Sequence, residues 1–188
     1  MIFKIQPDFQ NISFDLHFNQ KDYDYKDIEN VLIFIYGYPI DFSQNQWASP
    51  ESIYRDYSQN RWDFMDGMDG AFSILIVDKN RKETHVITDP VGIYTLFYYR
   101  DKEHFIISDR ILEIRKWVKN VQLNNSSVIE YLNLCFKIGQ KTHFKNIYEF
   151  EPATIYTINE EFKMSEQTYW SLFEKKMDEK IDKEEFRV

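Results

Sequence analysis

Glycine and proline are scarce, with five of each in 188 residues, so few positions force a turn through a missing side chain or a locked φ. The same shortage excludes a low-complexity or Gly/Ser linker. The single cysteine, Cys135, excludes an intrachain disulfide. No charged-then-apolar leader opens the sequence, and its longest strongly apolar run, residues 31–36, is far short of the roughly 20 residues that a membrane helix needs. The expectation is a cytoplasmic chain that spans no bilayer. Positive charge is also in deficit: 23 Lys and Arg against 31 Asp and Glu give a formal net charge of -8, whereas nucleic-acid and anionic-membrane surfaces ordinarily show clustered Lys and Arg. Nucleic acid is therefore not an expected partner.

What is abundant is aromatic: 16 Phe and 13 Tyr among the 188 residues. A chain of this length suits one domain that buries about 70% of the surface its unfolded form exposes. Residues 31–36, Val-Leu-Ile-Phe-Ile-Tyr, read as a central buried strand halted by Gly37 and Pro39. Ser49-Pro50-Glu51 offers an N-cap, a proline at the first helical position and an acid in the first turn, which predicts a helix over residues 50–58. Residues 70–77 and 84–88 read as a hairpin, and Asp89-Pro90-Val91-Gly92 turns the chain into strands over 94–99 and 105–108. Together these predict a four-strand antiparallel run. Asp109 is expected to cap a helix with Ile111, Leu112, Ile114 and Trp117 as its apolar stripe, and Ser127 with Glu130 fits a capping box opening a helix over 128–136. Residues 147–150 and 154–158 read as a further strand pair around Pro152. The tail is charged, and Phe173, Met177 and Ile181 recur every fourth residue, the pattern of a helix with a narrow apolar stripe that wants a neighbour.

Several chemistry-bearing residues read more simply as scaffold. Cys135, among Leu132, Leu134 and Phe136, fits a small apolar core residue better than a nucleophile. His17, His85, His104 and His143 lack zinc-ligand spacing, so no metal is implied. Asp22-Tyr23-Asp24-Tyr25-Lys26-Asp27 lacks the glycine and distal glutamate of a calcium loop and reads as a solvated turn.

Three stretches, Asp66-Gly67-Met68-Asp69-Gly70-Ala71-Phe72-Ser73, then Thr88-Asp89-Pro90-Val91-Gly92-Ile93-Tyr94-Thr95-Leu96-Phe97-Tyr98-Tyr99, then Phe105-Ile106-Ile107-Ser108-Asp109, resemble in order and spacing the glutamine amidotransferase domain of asparagine synthetase-type enzymes. Glu130-Tyr131-Leu132, Thr142-His143-Phe144-Lys145-Asn146-Ile147-Tyr148 and Glu151-Pro152-Ala153 extend the match, so that it covers residues 28–170. The resemblance implies an α+β fold of the Ntn type, a four-layer α/β/β/α sandwich of two mainly antiparallel sheets. It assigns residues 1–170 to that domain and 171–188 to a charged helical tail, a linker or docking segment toward a synthetase domain or subunit.

In working members of that family the chain begins at a cysteine whose thiol attacks the glutamine amide while its own α-amino group acts as base. Here Ile2 is expected at that position, so no catalytic residue is assigned. Working members follow the central strand with Asn-Gly-Glu, whose groups hold oxyanion and substrate; this chain has Tyr36-Gly37-Tyr38-Pro39, and the family's binding acid falls near Ala48-Ser49-Pro50. The candidate substrate-binding pocket is therefore a degenerate one of Tyr36, Gly37, Tyr38 and Ser49. Losing one oxyanion donor alone costs about 100- to 1000-fold in rate. No glycine follows Gly139, so the Ser-Gly-Gly-x-Asp-Ser loop with which synthetase domains cradle ATP pyrophosphate is not in this chain, and no cofactor is implied. A domain of this kind without its cysteine is similar to the amino-terminal domains of lasso-peptide cyclases and β-lactam synthetases, which form amides within substrates that carry their own nucleophile. The expected function is a catalytically silent, amidotransferase-like domain or subunit of an ATP-dependent amide-forming enzyme, partnered by a synthetase domain or subunit; a homodimer is compatible with it. The alternative is a free-standing binding protein for an amide, amino acid or peptide. A glutaminase using Cys135 or Ser49 ranks last.

Overall fold

Residues 31–36 are apolar without alternation because both faces of their strand are buried. In the computed structural model, Leu32 and Phe34 face a second sheet, while Val31, Ile33 and Ile35 face a helix. The structure describes residues 1–6, 12–15, 23–118 and 120–171. Within them, one sheet has the strand order β12-β11-β7-β6-β4-β3, with β5 added beside β4, and the other has the order β10-β8-β9-β1-β2. The strands of the first are β3 (Tyr23–Ile28), β4 (Val31–Asp41), β5 (Gln46–Trp47), β6 (Met68–Asp78), β7 (Glu83–Thr88), β11 (Thr154–Ile158) and β12 (Met164–Thr168). Those of the second are β1 (Ile2–Ile5), β2 (Ile12–Asp15), β8 (Phe97–Arg100), β9 (Phe105–Ser108) and β10 (Ile147–Glu149). Every strand pair is antiparallel.

Three apolar layers hold these parts together. Between the sheets, Phe3, Ile5, Phe105 and Ile107 from one meet Leu32, Phe34, Leu75, Val77 and Tyr156 from the other. Outside the seven-stranded sheet, Ile53 and Tyr57 of α1 (Pro50–Asn60) pack on Ile33, Ile35, Ile74 and Ile76. Outside the five-stranded sheet, Ile114 of α2 (Ile111–Arg115) packs on Ile2, Ile106 and Ile147. Full burial of each such side chain is worth about 1.5–3 kcal/mol. The result is the α/β/β/α sandwich of two antiparallel sheets that the resemblance implies. Among the described residues no helix is long and apolar enough to cross a membrane.

Several local expectations change. Gly37 and Pro39 do not end the central strand, because β6 pairs with β4 through to Asp41. The segment at 22–27 is not a turn from Tyr23 onward but strand β3, which pairs with β4 from Tyr23↔Tyr36 to Ile28↔Val31; Asp22 lies outside the described residues, as do His17 and the tail from residue 172. The four-strand run splits: β6 and β7 join one sheet, β8 and β9 the other. The chain crosses between them at the buried carboxylate of Asp89, which accepts the amide N–H groups of Val91, Gly92, Ile93, Tyr94 and Phe72. The two strands around Pro152 likewise part company, β10 pairing with β8 and β11 with β7.

The helices diverge from their forecasts in an instructive way. Helix α1 has the expected cap: Ser49 Oγ accepts the Ser52 amide at 3.2 Å, and Ser52 Oγ accepts the Ser49 amide at 2.9 Å. Helix α2 starts after Arg110 without a side-chain cap, since the Asp109 carboxylate turns elsewhere. Helix α3 (Asn125–Leu134) is capped by Asn124, not Ser127, whose hydroxyl lies 3.2 Å from His143 Nδ1 instead. Cys135 takes the left-handed C-cap of α3 at φ 58 and is exposed, so it is not a core residue.

Candidate functional site

The site grows from a kink shared by the two longest strands. Gly37 on β4 and Gly70 on β6 both have positive φ, 98 and 105. A Cβ on Gly37 would lie 2.4 Å from the Ala71 carbonyl oxygen and 2.9 Å from the Tyr94 ring, so only glycine lets that ring close against the strand. Tyr94 itself is set by the crossing at Asp89, and its carbonyl accepts the Ser73 hydroxyl at 2.5 Å. Ala48, just before α1, donates its amide to the Pro39 carbonyl at 2.9 Å, which brings β5 and the start of α1 alongside.

These elements gather an aromatic chain. Tyr23 stacks on Tyr36 with ring centroids 4.8 Å apart, Tyr36 meets Tyr94 edge-on at 4.5 Å, and Tyr38 lies 6.4 Å from Tyr94 and 5.9 Å from Trp47. At its inner end the Tyr23 hydroxyl donates to Asp109 Oδ2 at 3.0 Å, and the Met1 nitrogen lies 2.5 Å from Asp109 Oδ1. Burial, then the neighbouring Asp109 carboxylate, push the Tyr23 hydroxyl well above its ordinary value, so it stays a hydrogen-bond donor. At the outer end a hollow of about 170 Å³ is lined by Gly37, Tyr38, Trp47 and Ala48, with Asp24 at its edge. Such a surface can stack on a planar group.

The structure brings Tyr36, Gly37 and Tyr38 together but leaves the other two sequence candidates outside this cluster. Ser49 is engaged as the cap of α1. Ile2 faces the outer helical layer with Ile106 and Ile114; strand alternation instead turns Met1, Phe3 and Ile5 toward the space between the sheets. The β1-side residue beside Asp109 and Tyr23 is thus Met1, not Ile2. Nearby, the buried Ser108 hydroxyl donates to the Met1 carbonyl at 2.5 Å. Sequence reasoning also missed Tyr23, Trp47, Tyr94 and Asp109 as members of the cluster. Asp109 had a misleading local signal, because an aspartate just before an apolar helical stripe ordinarily caps it. Tyr23 had a usable one, the alternation of Tyr23 and Tyr25 with charged residues. Among the described residues no group of three or more His, Cys, Asp or Glu is placed to hold a metal ion.

The glutamine amidotransferase domain family matches residues 6–170 of the chain. The solved structures that match include two of low identity. An allosteric regulatory enzyme of purine biosynthesis is 12% identical with a TM-score of 0.42, over 77% of this chain and 30% of that one. A glutamine phosphoribosylpyrophosphate amidotransferase from B. subtilis, complexed with ADP and GMP, is 12% identical with a TM-score of 0.42, over 75% and 30%. The chain therefore spans 30% of the length of each. No curated protein matches it.

Proposed function

The chain belongs to the glutamine amidotransferase domain family, and on that premise we propose that it has no glutaminase activity of its own and serves as the structural or substrate- and partner-binding part of an ATP-dependent, asparagine synthetase-like amide-forming enzyme. The observation that carries this reading is the inward face of β1. Met1, Phe3 and Ile5 occupy it, none has a nucleophilic thiol or hydroxyl, and the family match starts only after that strand, at residue 6. Beside Met1 stand the Asp109 carboxylate, the Tyr23 phenol and the Ser108 hydroxyl, which is already donated to the Met1 carbonyl. Cys135 sits exposed on α3, an element that contributes nothing to the cluster.

The cysteine-less forms of the family that serve lasso-peptide cyclases and β-lactam synthetases fit this state best, since their substrates supply the attacking group and imported ammonia is not needed. On this reading the chain serves peptide or natural-product biosynthesis with a synthetase domain or subunit as its partner, and residues 171–188 are the linking segment. The test is ammonia release from glutamine by the purified chain, for which background rates are expected. An enzyme-like rate that disappears in Ser108→Ala or Cys135→Ala would sink the proposal. Copurification with a protein carrying the Ser-Gly-Gly-x-Asp-Ser loop is the expected positive result.

The hollow beside Tyr38 and Trp47 favours a second reading, a free-standing binder of an amide, amino acid or peptide. Calorimetric titration of the isolated chain with such ligands decides between the two, tight binding without any synthetase supporting the second.

A further inference from the structure

Where β6 begins, the molecule carries an apolar groove that the aromatic cluster does not use. Its hollow, about 450 Å³, has the buried Met65 and Met68 at its base and Phe42, Val91, Tyr169 and Trp170 as its walls. Phe42, Val91 and Trp170 are 59%, 65% and 40% exposed. Each wall is tied to another stretch of the chain. The Phe42 amide donates to the Gly67 carbonyl at 2.9 Å, the Tyr169 amide to the Ala153 carbonyl at 2.9 Å, and the Tyr169 hydroxyl to the Thr88 carbonyl at 2.6 Å. Val91 belongs to the loop gathered by the Asp89 carboxylate, and its own amide donates to Asp89 Oδ1 at 2.9 Å. Separate stretches of chain thus hold apolar side chains toward water in a fixed arrangement. Contiguous exposed apolar surface marks a binding face, and a preorganised one loses little freedom on binding.

The charge around the groove is of one sign. Asp66 and Asp69 line it, and a smaller hollow of about 260 Å³ that shares Gly67 adds Asp41, Asp56 and Asp63. Among the described residues no Lys or Arg lines either hollow. Asp41 is engaged by Ser43 and Gln44, and Asp56 by Arg55. Asp63, Asp66 and Asp69 are exposed, and none forms an ion pair with a described residue. We propose that the groove takes a segment of a partner polypeptide in which a Lys or Arg stands next to an apolar residue. The apolar side chain enters between Phe42, Val91 and Trp170, while the cation reaches Asp66 and Asp69 and lays its aliphatic stem along an aromatic wall. An acidic segment is rejected, because its charges would face carboxylates that have no cation beside them. The formal net charge of -8 steers the same kind of partner toward the chain. This goes beyond the proposed function and does not depend on it.

Fluorescence anisotropy of the full chain tests this with a labelled octapeptide of alternating Leu and Arg and a counterpart of alternating Leu and Glu. Only the first is expected to bind, and more weakly as salt rises. The double variant Asp66→Asn, Asp69→Asn should weaken it about tenfold, and Phe42→Ser with Val91→Ser should abolish it. Two controls should leave binding unchanged: Glu160→Gln with Glu161→Gln, which removes the same formal charge elsewhere, and Leu132→Ser, which removes an exposed apolar side chain from α3. No binding of the Leu-Arg peptide, equal binding of both peptides, or an equal loss in a control variant overturns the proposal. So does a dimer in sedimentation equilibrium that dissociates in the Phe42, Val91 variant, since the occupant is then a second copy.

Discussion

Helices α1 and α3 are built alike and situated differently. Each is capped by a polar side chain at its N-terminus, Ser49 in one and Asn124 in the other, and each rests on a histidine. In α1 the residues are largely polar, but Pro50, Ile53 and Tyr57 are buried and the Tyr57 hydroxyl oxygen lies 3.2 Å from the fully buried His85 Nε2. In α3 the residues are more apolar, but only Ser127 is buried, with its hydroxyl 3.2 Å from the half-buried His143. Composition therefore does not say which helix is docked. What decides it is the surface each meets: α1 lies on a broad sheet face of Ile and Val, whereas α3 meets a short segment around 141–144 that offers mainly polar partners.

The comparison can be broken most severely at the inner stripe of α1. Ile53 is 1% exposed and Leu132 is 75% exposed, so Ile53→Ala should cost about 2–5 kcal/mol in a urea titration, while Leu132→Ala should cost about 1 kcal/mol or less. Comparable losses at the two positions would mean that α3 is as firmly packed as α1.

The next effect is that of pH. The Tyr57 hydroxyl donates its one proton to Asp78 Oδ2 at 3.0 Å, so it accepts from Nε2–H of a neutral His85, whose Nδ1 in turn faces the Thr157 hydroxyl at 3.0 Å. Burial first, then the Arg61 cation, push His85 down to about 3 from its ordinary 6.5. The 3.5 Å approach of Glu83 to His85 is accordingly not an ion pair near neutrality, and Glu83 is taken by Arg61. With the folded value depressed, the unfolded chain binds the extra proton between pH 6.5 and 3, so stability is full above 6.5 and falls as pH drops through that window, by about 2 kcal/mol at pH 5. Chemical denaturation at pH 7.5 and pH 5 should show this slope, and His85→Gln should flatten it.

The smallest effect lies at the caps. Ser49→Ala and Asn124→Ala should each cost about 1 kcal/mol of helix stability, but only the first should lower the thermal midpoint of the whole domain. Loss of the α3 cap should register as faster hydrogen exchange local to that helix.

Much of the site was hard to read because its members come from distant parts of the chain. Tyr36, Gly37 and Tyr38 were legible as a degenerate pocket because they are contiguous. Tyr23, Tyr94 and Asp109 were not, since the cluster exists only once β3 has paired with β4, the chain has crossed at Asp89, and β9 has paired with β1. Which way Ile2 faces was not legible for the same reason: only the pairing of β1 between β2 and β9 fixes which of its residues face inward.

The sequence by itself determined the strand at 31–36, the hairpin of β6 and β7, the cap of α1 and the lack of a nucleophile along β1, because alternation, capping and side-chain chemistry act over a few residues. Tertiary structure alone decided which sheet each strand joined, that Asp109 would bind Tyr23 instead of capping α2, and that an apolar helix would stand exposed. Those outcomes depend on surfaces brought together from far along the chain, and burial is a property of the meeting surfaces, not of either one alone.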